Sequence, residues 1–227
     1  MTEKTKKKDF VEIEFIARNL SNNEIFDTNI KAEAEKINLK LKDKPLIVCI
    51  GESMVVKGLD EELEGKEVGK SYTIKIAPEK AFGARNKELV KLIPLKVFTE
   101  QKIYPQPGMI LALDNALVRI ASVSGGRVLT DFNNPLAGKD IEYIFTIKRI
   151  VQDNKEKASA LISAFTGFEL PFDIDEAKKK IIFKDLRLMP ILNTFKDKFK
   201  EILGVDTEIF EEKKKEENQK KKEENKQ

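Results

Sequence analysis

Three stretches of this chain switch between apolar and polar residues at every step, and that period of two restricts its fold most. Val11, Ile13, Phe15 and Ala17 share one face of residues 11–17; Tyr72, Ile74 and Ile76 share one of 70–76; Ile141, Tyr143, Phe145 and Ile147 share one of 141–147. Such segments read as strands with one dry and one wet side, as in an antiparallel sheet. Residues 45–50 are an apolar run containing Cys49, expected as a buried strand with a core thiol. Between the first two alternating segments, Leu59-Asp-Glu-Glu-Leu-Glu-Gly65 has acids in its first turn and a glycine at its end. These are the marks of one short helix, able to cover the sheet, with its acids on a solvated face.

From about Asn86 to about Val128 the chain leaves this pattern but keeps many large apolar residues, with turn signals at Pro105, Pro107, Gly108 and Ser124-Gly-Gly126. So many apolar side chains are out of place in a plain loop, so a small β-rich domain inserted into the first is expected. After Val151 the period becomes helical. Ala158, Leu161, Ile162 and Phe165 precede Gly167; Ile182 and Phe183 suggest a short strand; Pro190 opens a helix carrying Phe195, Phe199, Ile202 and Leu203 before Gly204. The fold class is therefore α+β: an antiparallel sheet wrapped on a short helix, the inserted β-rich domain, and a C-terminal α/β domain. The expected division is a solvated basic tail over 1–8, a first domain over 9–86 plus 128–151, the insertion over 87–127, the C-terminal domain over 153–210, and a disordered charged tail over 211–227.

The chain has no histidine, which excludes Ser-His-Asp and Cys-His catalysis and HExxH zinc sites. Its single cysteine rules out an intramolecular disulfide and fits a reducing compartment. The 42 basic residues nearly balance 39 acidic ones and are interspersed with them, so no stripe for nucleic acid stands out. With no apolar run near the length of a membrane span and no leader pattern at the start, a cytoplasmic protein is expected. Residues 131–142 mimic a calcium loop, but Leu136 replaces its glycine and Pro135 a ligand, so it is set aside. No metal and no cofactor are expected.

Three motifs, in order, carry a family resemblance over about residues 9–151. Gly51-Glu-Ser-Met-Val-Val-Lys-Gly-Leu-Asp-Glu-Glu-Leu-Glu-Gly65 with Glu67-Val-Gly69, then Ala77-Pro-Glu-Lys-Ala-Phe-Gly83, then Asp131-Phe-Asn-Asn-Pro-Leu-Ala-Gly138 resemble the signatures of FKBP-type peptidyl-prolyl cis-trans isomerases. The insertion stands where SlyD-like members carry a chaperone domain. The resemblance implies an isomerase acting on unfolded or partly folded proline-containing polypeptides, with chaperone assistance. It maps a proline pocket onto Phe26, Asp27, Val56, Phe82 and Tyr143 as catalytic positions, with Phe15, Leu46, Val55 and Leu59 binding substrate. In that reading the Val56 N–H anchors the peptide, Asp27 supplies a field, and Met109, Leu111 and Leu113 are candidates for an exposed chaperone groove. Two residues depart from the pattern. Phe82 replaces a tyrosine whose hydroxyl donates to substrate, and Asn134 replaces a histidine. The loss at Phe82 keeps a holdase or peptide-binding module open as the rival reading. Longer archaeal members resemble this chain in carrying a C-terminal extension, which with its aromatic helix stripes suggests a homodimer through that domain, with packing onto the first domain as the alternative.

Overall fold

A computed structural model describes residues 3–41, 44–113, 116–183 and 189–209; the charged tail expected over 211–227 lies outside them. The chain runs β1 (Phe10–Asn19), β2 (Glu24–Thr28), α1 (Lys31–Lys36), β3 (Leu46–Cys49), α2 (Lys57–Leu63) and β4 (Ser71–Ile76). It continues through β5 (Val90–Pro94), α3 (Leu95–Glu100), β6 (Ile110–Leu113), β7 (Ala116–Ser124), β8 (Arg127–Asp131) and β9 (Ile141–Ile150). Then come α4 (Asn154–Thr166), β10 (Phe172–Asp175), β11 (Lys180–Phe183), α5 (Met189–Leu203) and β12 (Asp206–Ile209).

The three alternating segments become β1, β4 and β9 of one antiparallel sheet, ordered β2-β1-β9-β4, with β3 also paired to β1. Their apolar faces meet as read: Val11, Ile13, Ala17, Ile141, Phe145 and Ile147 are buried together with Leu59 and Leu63 of α2. The helix reaches the sheet closely because Gly58 has no side chain. A Cβ there would stand 2.3 Å from Ile76 Cγ2.

Two expectations about charge are corrected. Asp60 does not lie on a solvated helix face; it is 7% exposed, and its carboxylate accepts the N–H groups of Gly51 at 2.8 Å and Ser53 at 3.0 Å. Nor are residues 1–8 a free tail, because Thr5 is buried and caps the end of α2. Its hydroxyl donates to the Leu63 carbonyl at 2.6 Å, and its own carbonyl accepts the Gly65 N–H at 2.9 Å. Helix ends leave backbone groups without intrahelical partners, and this N-terminal strap supplies some of them.

The excursion carries its own antiparallel sheet, ordered β5-β8-β7-β6. One face packs Ile120 and Val128 under Phe98 of α3, with Ile93, Leu111, Leu113 and Val123 around them. Leu111 and Leu113 therefore face this small core, not an open groove. The opposite face leaves Leu92, Ile110 and Leu117 at 53%, 60% and 68% exposure. Alternation along each strand decides which residues fall on which side.

In the C-terminal segment β11 lies between β10, antiparallel to it, and β12, parallel to it across α5. Asp153 caps α4 by accepting the Glu156 N–H at 2.8 Å, and Gly167 ends it in the left-handed region at φ +75°. Leu161 and Ile162 of α4, Phe199 of α5, and Ile181 and Phe183 of β11 bury Phe10, Ile47 and Cys49 on the outer side of β1 and β3. Those strands are apolar on both faces at this end. Of the aromatic stripes, Phe199 is buried here, while Phe165 and Phe195 pack half-buried against the same cluster, as the packing alternative expects.

Candidate active site

Strand β1 has two partners along one edge: β3 against Phe10–Ile13 and β2 against Ile16–Asn19. The gap between them is mended by two side chains. Asn29 Oδ1 accepts the Phe15 N–H at 2.8 Å, and Asn29 Nδ2 donates to the Ile13 carbonyl at 2.7 Å. The Thr28 hydroxyl donates to the Phe15 carbonyl at 2.7 Å. Phe15, at 6% exposure, is held there with its ring 5.6 Å from that of Tyr143.

Further along, Ala17 pairs with Asp27, but Arg18 pairs with Ile25. Phe26 is the extra residue of a β-bulge, which breaks the alternation that otherwise sends neighbouring side chains to opposite faces. Asp27 keeps the face it shares with Ala17 and Tyr143, while the bulge swings Phe26 toward the same side. The Phe26 ring meets Phe82 edge-on at 5.8 Å and Tyr143 edge-on at 6.3 Å. Ala17 on β1 pairs with Asp27 on one side and with Tyr143 on the other.

Phe82 lies within a tight turn, closed where the Gly83 N–H donates to the Pro78 carbonyl at 2.7 Å. The third sequence motif supports it from beside. Asn133 accepts the Asn86 N–H at 2.8 Å and donates to the Asn86 carbonyl at 2.9 Å, joining the two ends of the excursion. Val55 and Val56 enter α2 from the loop that Asp60 clamps. The Val56 N–H takes no acceptor among the described residues.

All the apolar residues singled out by sequence belong to or pack against one cluster: Phe15, Leu59 and Tyr143 in it, Phe26, Leu46, Val55, Val56 and Phe82 against it. Leu59, at 1% exposure, belongs to the core beneath the others and has almost no surface for a substrate. Asp27 is exposed as a residue yet crowded at its carboxylate, and that burial raises its pKa against the opposing N–H of Thr28 at 2.9 Å. Burial and then the Asp27 charge push the Tyr143 phenol well above its ordinary range. The phenol stays protonated at neutral pH. Sequence reading missed Asn29 and the clamping role of Asp60. A buried-face aspartate in α2 was visible only as one acid among four.

Residues 1–97 match the family model described as FKBP-type peptidyl-prolyl cis-trans isomerase, and residues 91–136 match one described as FKBP26, IF domain. A short-type peptidyl-prolyl cis-trans isomerase of Methanocaldococcus jannaschii is 32% identical over 146 residues, covering 63% of this chain and 90% of that protein. The isomerase SlyD of Vibrio cholerae is 36% identical over 105 residues, 44% of this chain and 52% of its own length. An FKBP-type 16 kDa isomerase of Escherichia coli is 27% identical over 129 residues, 55% of this chain and 83% of that protein. The chain belongs to the FKBP-type peptidyl-prolyl cis-trans isomerases. It spans about half the length of the SlyD relative it matches.

Proposed function

We propose that this chain speeds rotation about the peptide bond before proline in unfolded or partly folded polypeptides, in a hollow walled by Phe15, Phe26, Phe82 and Tyr143. The observation that carries this is the convergence of Phe26, freed by its bulge, on Phe82 and Tyr143. Rotation is slow because amide resonance imposes a barrier of about 18–20 kcal/mol. The twisted amide has lost that resonance and is less polar than the planar one. An apolar aromatic wall therefore favours the twisted form over the planar form, and only such differential binding accelerates the step. Each 1.36 kcal/mol or so of difference is about tenfold in rate. No nucleophile or proton carrier is required, which suits a chain without histidine.

Around the wall, Leu46 and Val55 hold the proline ring, and the Val56 N–H anchors a substrate carbonyl. Asp27 sets the field near the rotating group. The hydroxyl absent from Phe82 has a counterpart in that of Tyr143, whose phenol is protonated. A protease-coupled assay on a proline tetrapeptide tests the assignment with Phe26→Ala and Asp27→Ala. Both variants should lose activity, and unchanged rates in both would remove the hollow from this account.

A client-holding role for the inserted domain over 87–127 is supported by the open face of its sheet, on which Leu92, Ile110 and Leu117 are each exposed. Ile110 and Leu117 are diagonal neighbours on the paired strands β6 and β7, and exposed apolar surface of this kind marks interaction sites. Replacing these three by serine should leave tetrapeptide turnover intact and weaken catalysis of protein refolding. Suppressed aggregation without any tetrapeptide turnover in the native chain would instead favour a holdase.

A further inference from the structure

Beside the aromatic cluster lies a groove of about 1240 Å³ between the first sheet and the C-terminal segment. Phe15, Asp27 and Leu46 line one end of it, so it opens from the same residues that border the hollow. One wall is β3; the other is the small-residue face of α4, including Ser159 and Ser163. The two walls are tied across the groove by Lys44 and Glu169, 2.6 Å apart.

The edge of β3 gives the groove its chemistry. In an antiparallel ladder, successive residues alternate in turning their N–H and C=O toward and away from a given neighbour. The Ile50 N–H donates to the Asp9 carbonyl at 3.0 Å, which turns Leu46 and Val48 toward β1 and Ile47 and Cys49 away. Met54 Sδ accepts the Cys49 N–H at 3.1 Å. Among the described residues no strand pairs with β3 on that side. The N–H and C=O of Ile47 are therefore left without partners among the described residues, at the groove. The neighbouring charges are mostly spent on one another: Arg149 holds Glu12 at 2.7 Å and Glu156 at 2.9 Å, as Lys44 holds Glu169. A highly charged ligand finds little here, whereas an extended peptide backbone finds a donor and acceptor pair between apolar walls.

We propose that this groove binds the extended polypeptide flanking the proline, as an added strand on the Ile47 edge of β3. The proposal rests on the hollow being the proline site and extends it to substrates longer than a tetrapeptide. Main-chain pairing of this kind gives affinity with little sequence preference, as a folding enzyme requires. The C-terminal segment then serves as the outer wall of a substrate channel.

The test compares a proline tetrapeptide with a longer peptide carrying several residues on each side of the same proline. Ser159→Trp and Ser163→Trp place bulk in the groove, away from the hollow. In both variants KM for the longer peptide should rise by about tenfold, while tetrapeptide turnover, which also reports an intact fold, stays unchanged. In the native chain, the Ile47 amide proton resonance should move downfield with the longer peptide and not with the tetrapeptide. An Ile47 resonance that does not respond, or that shifts with protein concentration alone, overturns the groove assignment while tetrapeptide turnover still supports the hollow. A native chain inactive on the tetrapeptide overturns the hollow instead.

Discussion

Replacing Gly58 with alanine sets two effects of opposite sign against each other in one methyl group. In a helix alanine is favoured over glycine by at most about 1 kcal/mol, and by less at Gly58, the second residue of α2. Against that, the new Cβ would stand 2.3 Å from Ile76 Cγ2 and 3.2 Å from both Cγ1 and Cδ1. Carbon atoms pack at about 3.5–4.0 Å, so the first overlap exceeds an ångström. Ile76 is 4% exposed in β4 and cannot swing into solvent. Overpacking costs about 1–3 kcal/mol, and an overlap of this size belongs at the upper end. The expected net is a loss of about 2 kcal/mol in stability, read by urea unfolding. Circular dichroism can follow the transition, since the chain has no tryptophan. Ile76→Val keeps Cγ2 and should not relieve the strain, whereas Ile76→Ala in the Gly58→Ala background should cost less than it does alone. Because α2 carries Val56 at its entry, Gly58→Ala should also raise KM for a proline peptide. A Gly58→Ala chain more stable than the native one would refute the close helix–sheet contact on which the position of Val56 depends.

Asp27→Asn should uncouple stability from activity. The folded chain raises the Asp27 pKa above its ordinary 3.8. Folding therefore favours the protonated acid, and that contribution is present below this value and lost as the pH rises through the folded pKa. At neutral pH Asp27→Asn should accordingly be the more stable protein in urea titrations and the poorer isomerase; a less stable variant would contradict the crowding seen at the carboxylate. Phe82→Tyr should lower KM for a proline tetrapeptide by about two- to tenfold, the value of one added hydrogen bond, and Tyr143→Phe should raise it by a similar factor. Burial, with the nearby charges of Glu52 and Asp60 adding to it, pushes the Cys49 thiol up to about 12. A disulfide reagent at pH 8 should leave Cys49 untouched in the native chain and modify it on unfolding.

Period-two alternation foretold β1, β4 and β9 with their inward faces because each has one dry and one wet side. The apolar wall was legible through motifs, while its assembly was not. The bulge that turns Phe26 beside Asp27 is a matter of register, set by pairing with β1 and invisible along β2 alone. Strand β3 buries both faces, Leu46 and Val48 on one side and Ile47 and Cys49 on the other. An apolar run cannot say that the second face awaits helices from residues 154–203. Lys4 to Lys8 read as a solvated tail since charge dominates the composition there, yet the backbone and the Thr5 hydroxyl do the binding. In the insertion, sequence located the apolar residues but not their side. Leu111 and Leu113 face Phe98, and the exposed surface falls to Leu92, Ile110 and Leu117 instead.

Exchange spectroscopy on a proline tetrapeptide at equilibrium, with catalytic amounts of the intact chain, reads bond rotation without a coupled protease. Run in water and in heavy water, it should show the same large acceleration in both, abolished in Phe26→Ala. Exchange no faster with the chain than without it, or slowed severalfold by heavy water, would contradict rotation eased by an aromatic wall with no proton in flight.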